Sequence, residues 1–219
     1  MVNNVQAVFF DMDGTLIDSE QYWIQLFESI VAKHGKVLAI EDRNALFGCS
    51  HELEIEVMSK YFGNNEALIL QEKHTYMEEH PFEYKKYLKE GVRELVEYLY
   101  SKNIQLAVTS SSYTKNIQDM LRECELEQYF AFIVSADMVS HEKPDPEIYQ
   151  RAQEISGLPS ENIYVIEDSI PGVLATQAAG LEVILIENDL YSVDVEGIHL
   201  KFKSHYEIME YMSGLLGGK

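Results

Sequence analysis

The chain has 219 residues, and 46% of them are apolar, which is typical of a globular protein. This length predicts one large domain, or one domain with a smaller insertion. It carries 17 Lys and Arg against 37 Asp and Glu, a formal net charge of −20. Because nucleic-acid affinity depends on basic side chains that displace counterions, this charge argues against nucleic acid, and equally against an anionic membrane surface, as a partner. A phosphorylated ligand would need a local positive centre.

Two cysteines, Cys49 and Cys124, are too few for a disulfide framework or a zinc cluster. Residues 1–14 lack the basic start of a signal peptide, and no apolar run approaches the ~18 residues that span a bilayer. These features predict a cytoplasmic protein without membrane partners. We expect a monomer that binds a small molecule.

Short apolar runs rich in β-branched and aromatic residues predict five buried strands. They occupy residues 5–10, 104–109, 132–135, 163–166 and 183–186. Segments with helical periodicity lie between the later strands, at residues 92–102, 114–124, 146–156 and 171–179. Strands that alternate with helices imply a parallel sheet covered on both faces. The predicted fold class is therefore α/β, with a doubly wound parallel sheet.

Residues 19–87 interrupt this alternation, because they contain helical patterns and no convincing strand. One apolar stripe includes Tyr22, Trp23 and Val31, and we expect these aromatic side chains to form the core of a small helical domain. The sequence therefore predicts an α/β domain at residues 1–18 and 88–219, with an all-helical domain at 19–87 inserted after the first strand.

Asp11 and Asp13 stand where the first predicted strand ends. The two-residue period of a strand directs both side chains to the same side, and Gly14 allows a sharp turn next to a bound ligand. Two carboxylates so close together repel each other, and they are tolerated best around a cation or when one is protonated. Taken alone, the Asp-x-Asp-Gly sequence at residues 11–14 is equally consistent with a solvated turn.

Polar clusters also follow the second, third and fourth predicted strands. They are Ser110–Ser112, residues 143–146 and residues 167–169. Ligands of open parallel sheets bind at this edge. The four clusters together supply a carboxylate nucleophile, a second carboxyl group, acidic ligands for a hard cation, a hydroxyl donor and a lysine, which is the inventory of phosphoryl chemistry. Mg²⁺ and Lys143 would form the positive centre.

The order DMDGTLIDS, VTSSS, KPDPEIY and IEDSIPGVLATQAAG closely resembles the four motifs of the haloacid dehalogenase superfamily, in the branch of β-phosphoglucomutase and the sugar-phosphate and phosphoglycolate phosphatases. The resemblance covers the whole chain, and it implies a Rossmann-like core with the helical block as a mobile cap. It implies that Asp11 attacks phosphorus and becomes a transient aspartyl phosphate, and that Asp13 is first general acid and then general base.

The resemblance also implies the binding residues. Lys143 would neutralise the charge of the nucleophile and of the phosphoryl group. Ser110 would donate a hydrogen bond to a phosphoryl oxygen, and Ser111 would do the same, with less support from the motif. Mg²⁺ would be held by four residues, with Asp13 contributing its backbone carbonyl and Glu167 binding directly or through water. The four are Asp11, Asp13, Glu167 and Asp168.

Two of the polar residues have competing structural interpretations. Ser112 equally fits a helix cap near Tyr113 and a contact with substrate. Asp145 fits the N-cap of the third core helix better than a ligand, with Pro146 at the first helical position.

Phosphatase and mutase remain the two main functional alternatives. Mutases of this branch usually have Val after the first-motif glycine, a His twelve positions beyond the nucleophile and an Arg in the cap loop. Here those places hold Thr15, Trp23 and His51, the last in residues 48–51. Thr15 is common in the phosphatases, where it helps to position the acid/base aspartate.

These departures predict a phosphatase that acts on a small phosphate monoester, preferably a sugar phosphate. They do not identify which ester is the substrate. Asp13 argues against dehalogenation, which needs no proton donor. A non-catalytic phosphate-binding or regulatory protein is the alternative from another class.

Overall fold

The computed structural model describes residues 5–46, 51–188 and 192–217, with the backbone alone at residue 51. Contacts divide the chain into two compact units. The α/β unit comprises Met1–Ile17 and Tyr84–Lys219, and the helical unit comprises Asp18–Glu83. Among the described residues, no helix is both long and apolar enough to cross a membrane.

A six-stranded sheet forms the centre of the α/β unit, in the order β3-β2-β1-β4-β5-β6, and every neighbouring pair is parallel. The strands are β1 Ala7–Phe10, β2 Gln105–Ser110, β3 Phe132–Ser135, β4 Ile163–Glu167, β5 Glu182–Ile186 and β6 Leu200–Phe202. This confirms the predicted doubly wound parallel sheet and its first five strands. The sixth strand was not predicted.

Helices of the α/β unit follow most of the strands. They are α5 Tyr84–Tyr87, α6 Val92–Ser101, α7 Thr114–Glu123, α8 Glu147–Ser156, α9 Ile170–Ala178 and α10 His205–Leu216. Four of them agree with the predicted helices to within one residue at each end. The N-cap of α8 is Pro146 rather than Asp145, but Asp145 Oδ1 accepts a hydrogen bond from the Glu147 amide at 3.0 Å and so still caps the helix.

Buried side chains fill the space between the sheet and its helices. One core cluster includes Phe9, Ala107, Val134 and Val165 from four adjacent strands, together with Tyr149 from α8. Because strands of a covered parallel sheet are buried on both faces, all four residues of β1 and all five of β4 are buried. The residues that follow these strands are thus anchored by the rigid centre of the domain.

The described residues of the helical unit form four helices, α1 Ser19–Lys33, α2 Ile40–Ala45, α3 His51–Phe62 and α4 Glu66–Glu79. Tyr22 is buried and contacts the Trp23 ring edge-on, with 5.3 Å between centroids, while Trp23 is half-buried. Lys73 Nζ lies 2.5 Å from Glu54 Oε1 and 5.7 Å from the Trp23 ring centroid. The apolar stripe of α1 is therefore largely this unit's own core, as predicted.

Candidate active site

The carboxyl end of β1 lies at the middle of the sheet. Phe10, its last residue, is in register with Val108 of β2 on one side and Ile166 of β4 on the other. After β1 the chain forms β2 and β3 on one side of it, and then crosses to the other side to form β4, so the strand order reverses at β1. Parallel sheets open a ligand crevice at such a point.

Lys143 links the ends of three strands through its ammonium group. Nζ donates to Asp11 Oδ1 and to Glu167 Oε1, both at 2.6 Å, and to the backbone carbonyl of Thr109 at 3.2 Å. Only 6% of the Lys143 side chain is exposed. Charge-assisted hydrogen bonds shielded from water are strong, so they hold the loop before α8 against β1, β2 and β4.

Three buried carboxylates share this edge of the sheet. Oxygens of Asp11, Glu167 and Asp168 lie within 4.8 Å of one another. Burial raises the pKa of Asp11, and Glu167 and Asp168 add to the rise, which Lys143 opposes without cancelling it. Burial has the same effect on Glu167, but there Lys143 and the hydrogen bonds outweigh it, so that the pKa of Glu167 is lowered.

The donor set fits a hard divalent cation. The Lys143 ammonium donates to two of the three carboxylates, those of Asp11 and Glu167. Buried carboxylates must be paired or coordinate metal, and Mg²⁺ and Ca²⁺ prefer oxygen ligands. The chemistry of these residues therefore favours a cation beside Asp11 and Asp168.

Gly14 allows the Asp168 carboxylate to approach the loop that follows β1, residues 11–17, here called the β1 loop. Its φ is +82°, a conformation that favours glycine, and a Cβ atom there would lie 2.0 Å from Asp168 Oδ2. The group that lies against Gly14 in the structure is thus a carboxylate, whereas the sequence predicted a turn next to a bound ligand. Thr15 also faces this carboxylate, because its hydroxyl donates to Asp168 Oδ1 at 3.4 Å rather than to Asp13.

Asp13 differs from Asp11 in being exposed to solvent. The Ser112 hydroxyl donates to Asp13 Oδ2 at 2.8 Å. Ser112 does not cap α7, whose N-cap residue is Tyr113, so the helix-cap interpretation was wrong. The sequence contained no signal for this bond, which joins residues 99 positions apart.

The two serines implied in phosphate binding differ in exposure. Ser110, the last residue of β2, is 1% exposed and its Oγ accepts a hydrogen bond from the Ser112 amide at 3.0 Å. A hydroxyl that accepts in this way keeps its own hydrogen as a donor. Ser111 is exposed to solvent.

Tyr149 is a member of this cluster to which the sequence analysis assigned no role. Its hydroxyl donates to Glu167 Oε1 at 2.6 Å, and Lys143 Nζ lies 5.1 Å from its ring centroid. Burial, and next the Glu167 charge, raise the pKa of Tyr149 well above its ordinary value, which keeps the hydroxyl a donor. Its position in KPDPEIY, on the first turn of α8, was the available signal.

Residues 8–186 match the sequence profile of the haloacid dehalogenase-like hydrolases. The chain belongs to this family. A curated relative in the family, the phosphorylated carbohydrates phosphatase of Thermotoga maritima, is 33% identical over 180 residues, which are 81% of this chain and 83% of the relative. The phosphoglycolate phosphatase of Pseudomonas syringae pv. syringae is 25% identical over 190 residues, 83% of this chain and 69% of the relative.

Solved structures agree with this family assignment. The crystal structure of a Thermotoga maritima protein provisionally named a β-phosphoglucomutase superposes with a TM-score of 0.77 at 28% identity, covering 96% of this chain and 99% of that chain. A haloacid dehalogenase family hydrolase from Deinococcus radiodurans, with bound phosphate and sodium, has a TM-score of 0.81 at 23% identity, covering 97% of each chain, which shows a shared fold. The expected superfamily and fold are confirmed.

Proposed function

We propose that this hydrolase is a Mg²⁺-dependent phosphatase that cleaves a small phosphate monoester, for preference a sugar phosphate, through an aspartyl-phosphate intermediate. The observation that carries the proposal is the buried Asp11 carboxylate at the end of the central strand, 2.6 Å from Lys143 Nζ and grouped with two further carboxylates. The names of two relatives, a phosphorylated carbohydrates phosphatase and a phosphoglycolate phosphatase, support the reaction and the substrate class.

Asp11 is the proposed nucleophile. Its carboxylate oxygen would form a bond to phosphorus while the bond from phosphorus to the ester oxygen breaks. Lys143 stabilises this step because its ammonium, already hydrogen-bonded to Asp11, offsets the charge of an anion that approaches an anion. Ser110 and the neighbouring Ser111 would donate hydrogen bonds to the phosphoryl oxygens.

Asp13 is the proposed acid and base. Its exposed carboxyl group is free of the buried cluster and is oriented by Ser112 at 2.8 Å. It would protonate the departing alcohol and then take a proton from the water that hydrolyses the phosphoenzyme.

Four residues would hold Mg²⁺, namely Asp11, Asp13 through its backbone carbonyl, Asp168 and Glu167. When bound, the ion would offset the negative charge that obstructs attack on a phosphate ester. Glu167 already accepts five hydrogen bonds, from Lys143, Tyr149, the Asp168 amide, and the amide and hydroxyl of Ser169. Because a carboxylate offers about four lone-pair sites, we propose that Glu167 contributes mainly by its charge and through water.

We further propose that the helical unit acts as the cap that selects the substrate. The mutase alternative concerns this unit, since the cap loop that would carry an arginine reads Gly-Cys-Ser-His at residues 48–51. Residues 48–50 and the side chain of His51 lie outside the described part of the structure. The relative provisionally named a β-phosphoglucomutase makes this alternative the one to test.

A product assay distinguishes the two reactions. Supplied with β-glucose 1-phosphate, Mg²⁺ and a trace of the 1,6-bisphosphate, the enzyme is expected to release inorganic phosphate without forming glucose 6-phosphate, because Thr15 and Trp23 replace the residues a mutase would use. Faster accumulation of glucose 6-phosphate than of phosphate would establish the mutase. Should this sugar be inert, a panel of phosphate esters with Mg²⁺ or EDTA decides between a phosphatase and a non-catalytic protein.

Asp13→Asn is expected to spare good leaving groups. Loss of the proton donor should slow alkyl phosphates by roughly 10²–10⁴-fold, whereas p-nitrophenolate leaves without protonation and should still phosphorylate the enzyme. The measurement is the burst of p-nitrophenol in rapid mixing, compared with single-turnover cleavage of a sugar phosphate. Equal losses on both substrates would contradict the proton-donor role.

A further inference from the structure

Lys89 contacts the β1 loop with both its main chain and its side chain. Its amide donates to the carbonyl of Leu16 at 3.0 Å, and its Nζ donates to the carbonyl of Gly14 at 2.6 Å. The adjacent Leu88 forms an antiparallel bridge with Ile17. One residue thus holds two carbonyl groups of the loop that carries Asp13, although it lies 75 positions away from Gly14 in the sequence.

The loop also has backbone hydrogen bonds of its own. The Gly14 amide donates to the Ile17 carbonyl at 2.7 Å, and the Ile17 amide donates to the Met12 carbonyl at 2.9 Å. These bonds close the turn, but they leave the peptide plane between Gly14 and Thr15 to be set by a contact from outside the loop. That plane follows Gly14, whose φ is +82°. Because glycine has no Cβ, its backbone can adopt many conformations and does not by itself fix the orientation of the plane.

The start of α10 supports the same segment from another direction. His205 is 1% exposed, and its ring lies close to the backbone of Thr15 and of Glu90. Burial, and next the positive charge of Lys89, lower the pKa of His205 to about 3, so the ring is neutral. Among the described groups at this contact, the Lys89 ammonium carries positive charge, and it donates to the Gly14 carbonyl.

We propose that Lys89 is a positioning residue that fixes the Gly14–Thr15 peptide, one residue beyond Asp13, and so sets the placement of the acid/base carboxyl group. The inference rests on the proposed function, in which Asp13 transfers protons. The two hydrogen bonds described above join Lys89 to backbone atoms of the loop, and we infer that they act on the reaction through the orientation of Asp13. A displacement of about 1 Å at a catalytic group is enough to cost up to about 10²-fold in rate.

Lys89→Met tests the proposal, since it removes the ammonium and keeps most of the aliphatic stem. We expect kcat for an alkyl phosphate to fall at least about tenfold while KM stays within about twofold, because proton transfer depends on geometry more steeply than substrate binding does. The loss should be smaller for the p-nitrophenol burst, which needs no proton donor. Lys89→Arg, which keeps a charged donor, should recover part of kcat.

Lys102→Met is the matched control, because Lys102 is exposed and its Nζ lies over the Tyr98 ring at 5.5 Å, away from the β1 loop. Lys89→Gln and thermal melting of every variant separate misfolding from misplacement. Activity of Lys89→Met and Lys89→Gln equal to that of the control would overturn the proposal. So would a loss that is the same for both ester types, parallels a fall in melting temperature and is not recovered by Lys89→Arg.

The failure of the proposed function has a different signature. If the wild-type enzyme turns over no phosphate ester with Mg²⁺, the phosphatase assignment is overturned and the role of Lys89 is overturned with it. If the wild type is active and the Lys89 variants are as active as the Lys102→Met control, the phosphatase assignment stands and the role of Lys89 is rejected.

Discussion

Asp11→Asn is expected to remove nearly all phosphatase activity while the protein stays folded. The amide is a poor nucleophile, and the change also deletes one of the three carboxylates grouped at the sheet edge. Losing one member of a catalytic unit typically lowers kcat by orders of magnitude, so we expect a loss of at least roughly 10³-fold. The substitution keeps the shape of the side chain and lessens the repulsion among buried carboxylates, so the melting temperature should be maintained or raised.

The activity of Asp11→Asn is measured as Mg²⁺-dependent release of p-nitrophenol and of phosphate, beside circular dichroism. Asp119→Asn is the matched control, since the Asp119 carboxylate pairs with Lys115 and Arg122 on the exposed face of α7. The control should keep its activity, because exposed ion pairs contribute little to stability and this one lies outside the cluster. More than roughly a hundredth of the wild-type rate in Asp11→Asn would refute the assignment of the nucleophile.

Lys143→Met should impair both stability and catalysis. The ammonium donates to Asp11 and Glu167 at 2.6 Å, and only 6% of the lysine side chain is exposed. Breaking a buried ion pair by removing one partner costs roughly 3–5 kcal/mol, because the remaining charges stay buried and unpaired. Loss of a preorganised positive group beside the nucleophile should lower kcat by about 10²–10³-fold.

Chemical denaturation measures the predicted loss of stability of Lys143→Met. Lys115→Met is the control, because its side chain is 82% exposed and pairs with Asp119 on the surface. Adding Glu167→Gln to Lys143→Met should restore part of the free energy of unfolding, since it removes one uncompensated charge. If Lys143→Met is as stable as the control, the buried ammonium does not contribute to the stability of the fold.

Local sequence patterns were sufficient for the central sheet but not for its last strand. The buried runs of β1 and β4 are apolar at every position except the last residue of β4, and such runs are recognisable in isolation. The edge strand β6 has three residues, with Lys201 exposed between two half-buried apolar residues. A pattern this short does not distinguish a strand from a loop. Its pairing with β5 becomes evident only in the folded sheet.

The sequence by itself determined which residues gather at the candidate site. Apolar runs mark the strands, and in a parallel sheet the residues after each run meet at one edge, so Asp11, Ser110 and Glu167 were predictable without coordinates. The resemblance to a known family added the roles implied for them.

Only the tertiary structure decided which atoms are bonded there. The Thr15 hydroxyl donates to Asp168 and the Ser112 hydroxyl donates to Asp13, and neither bond was predicted. Lys89 reaches the Gly14 carbonyl from a segment that had no assigned role. The physical reason is that strand periodicity is a property of neighbouring residues, whereas hydrogen-bond partners depend on the register of the strands and on the paths of loops far apart in the chain.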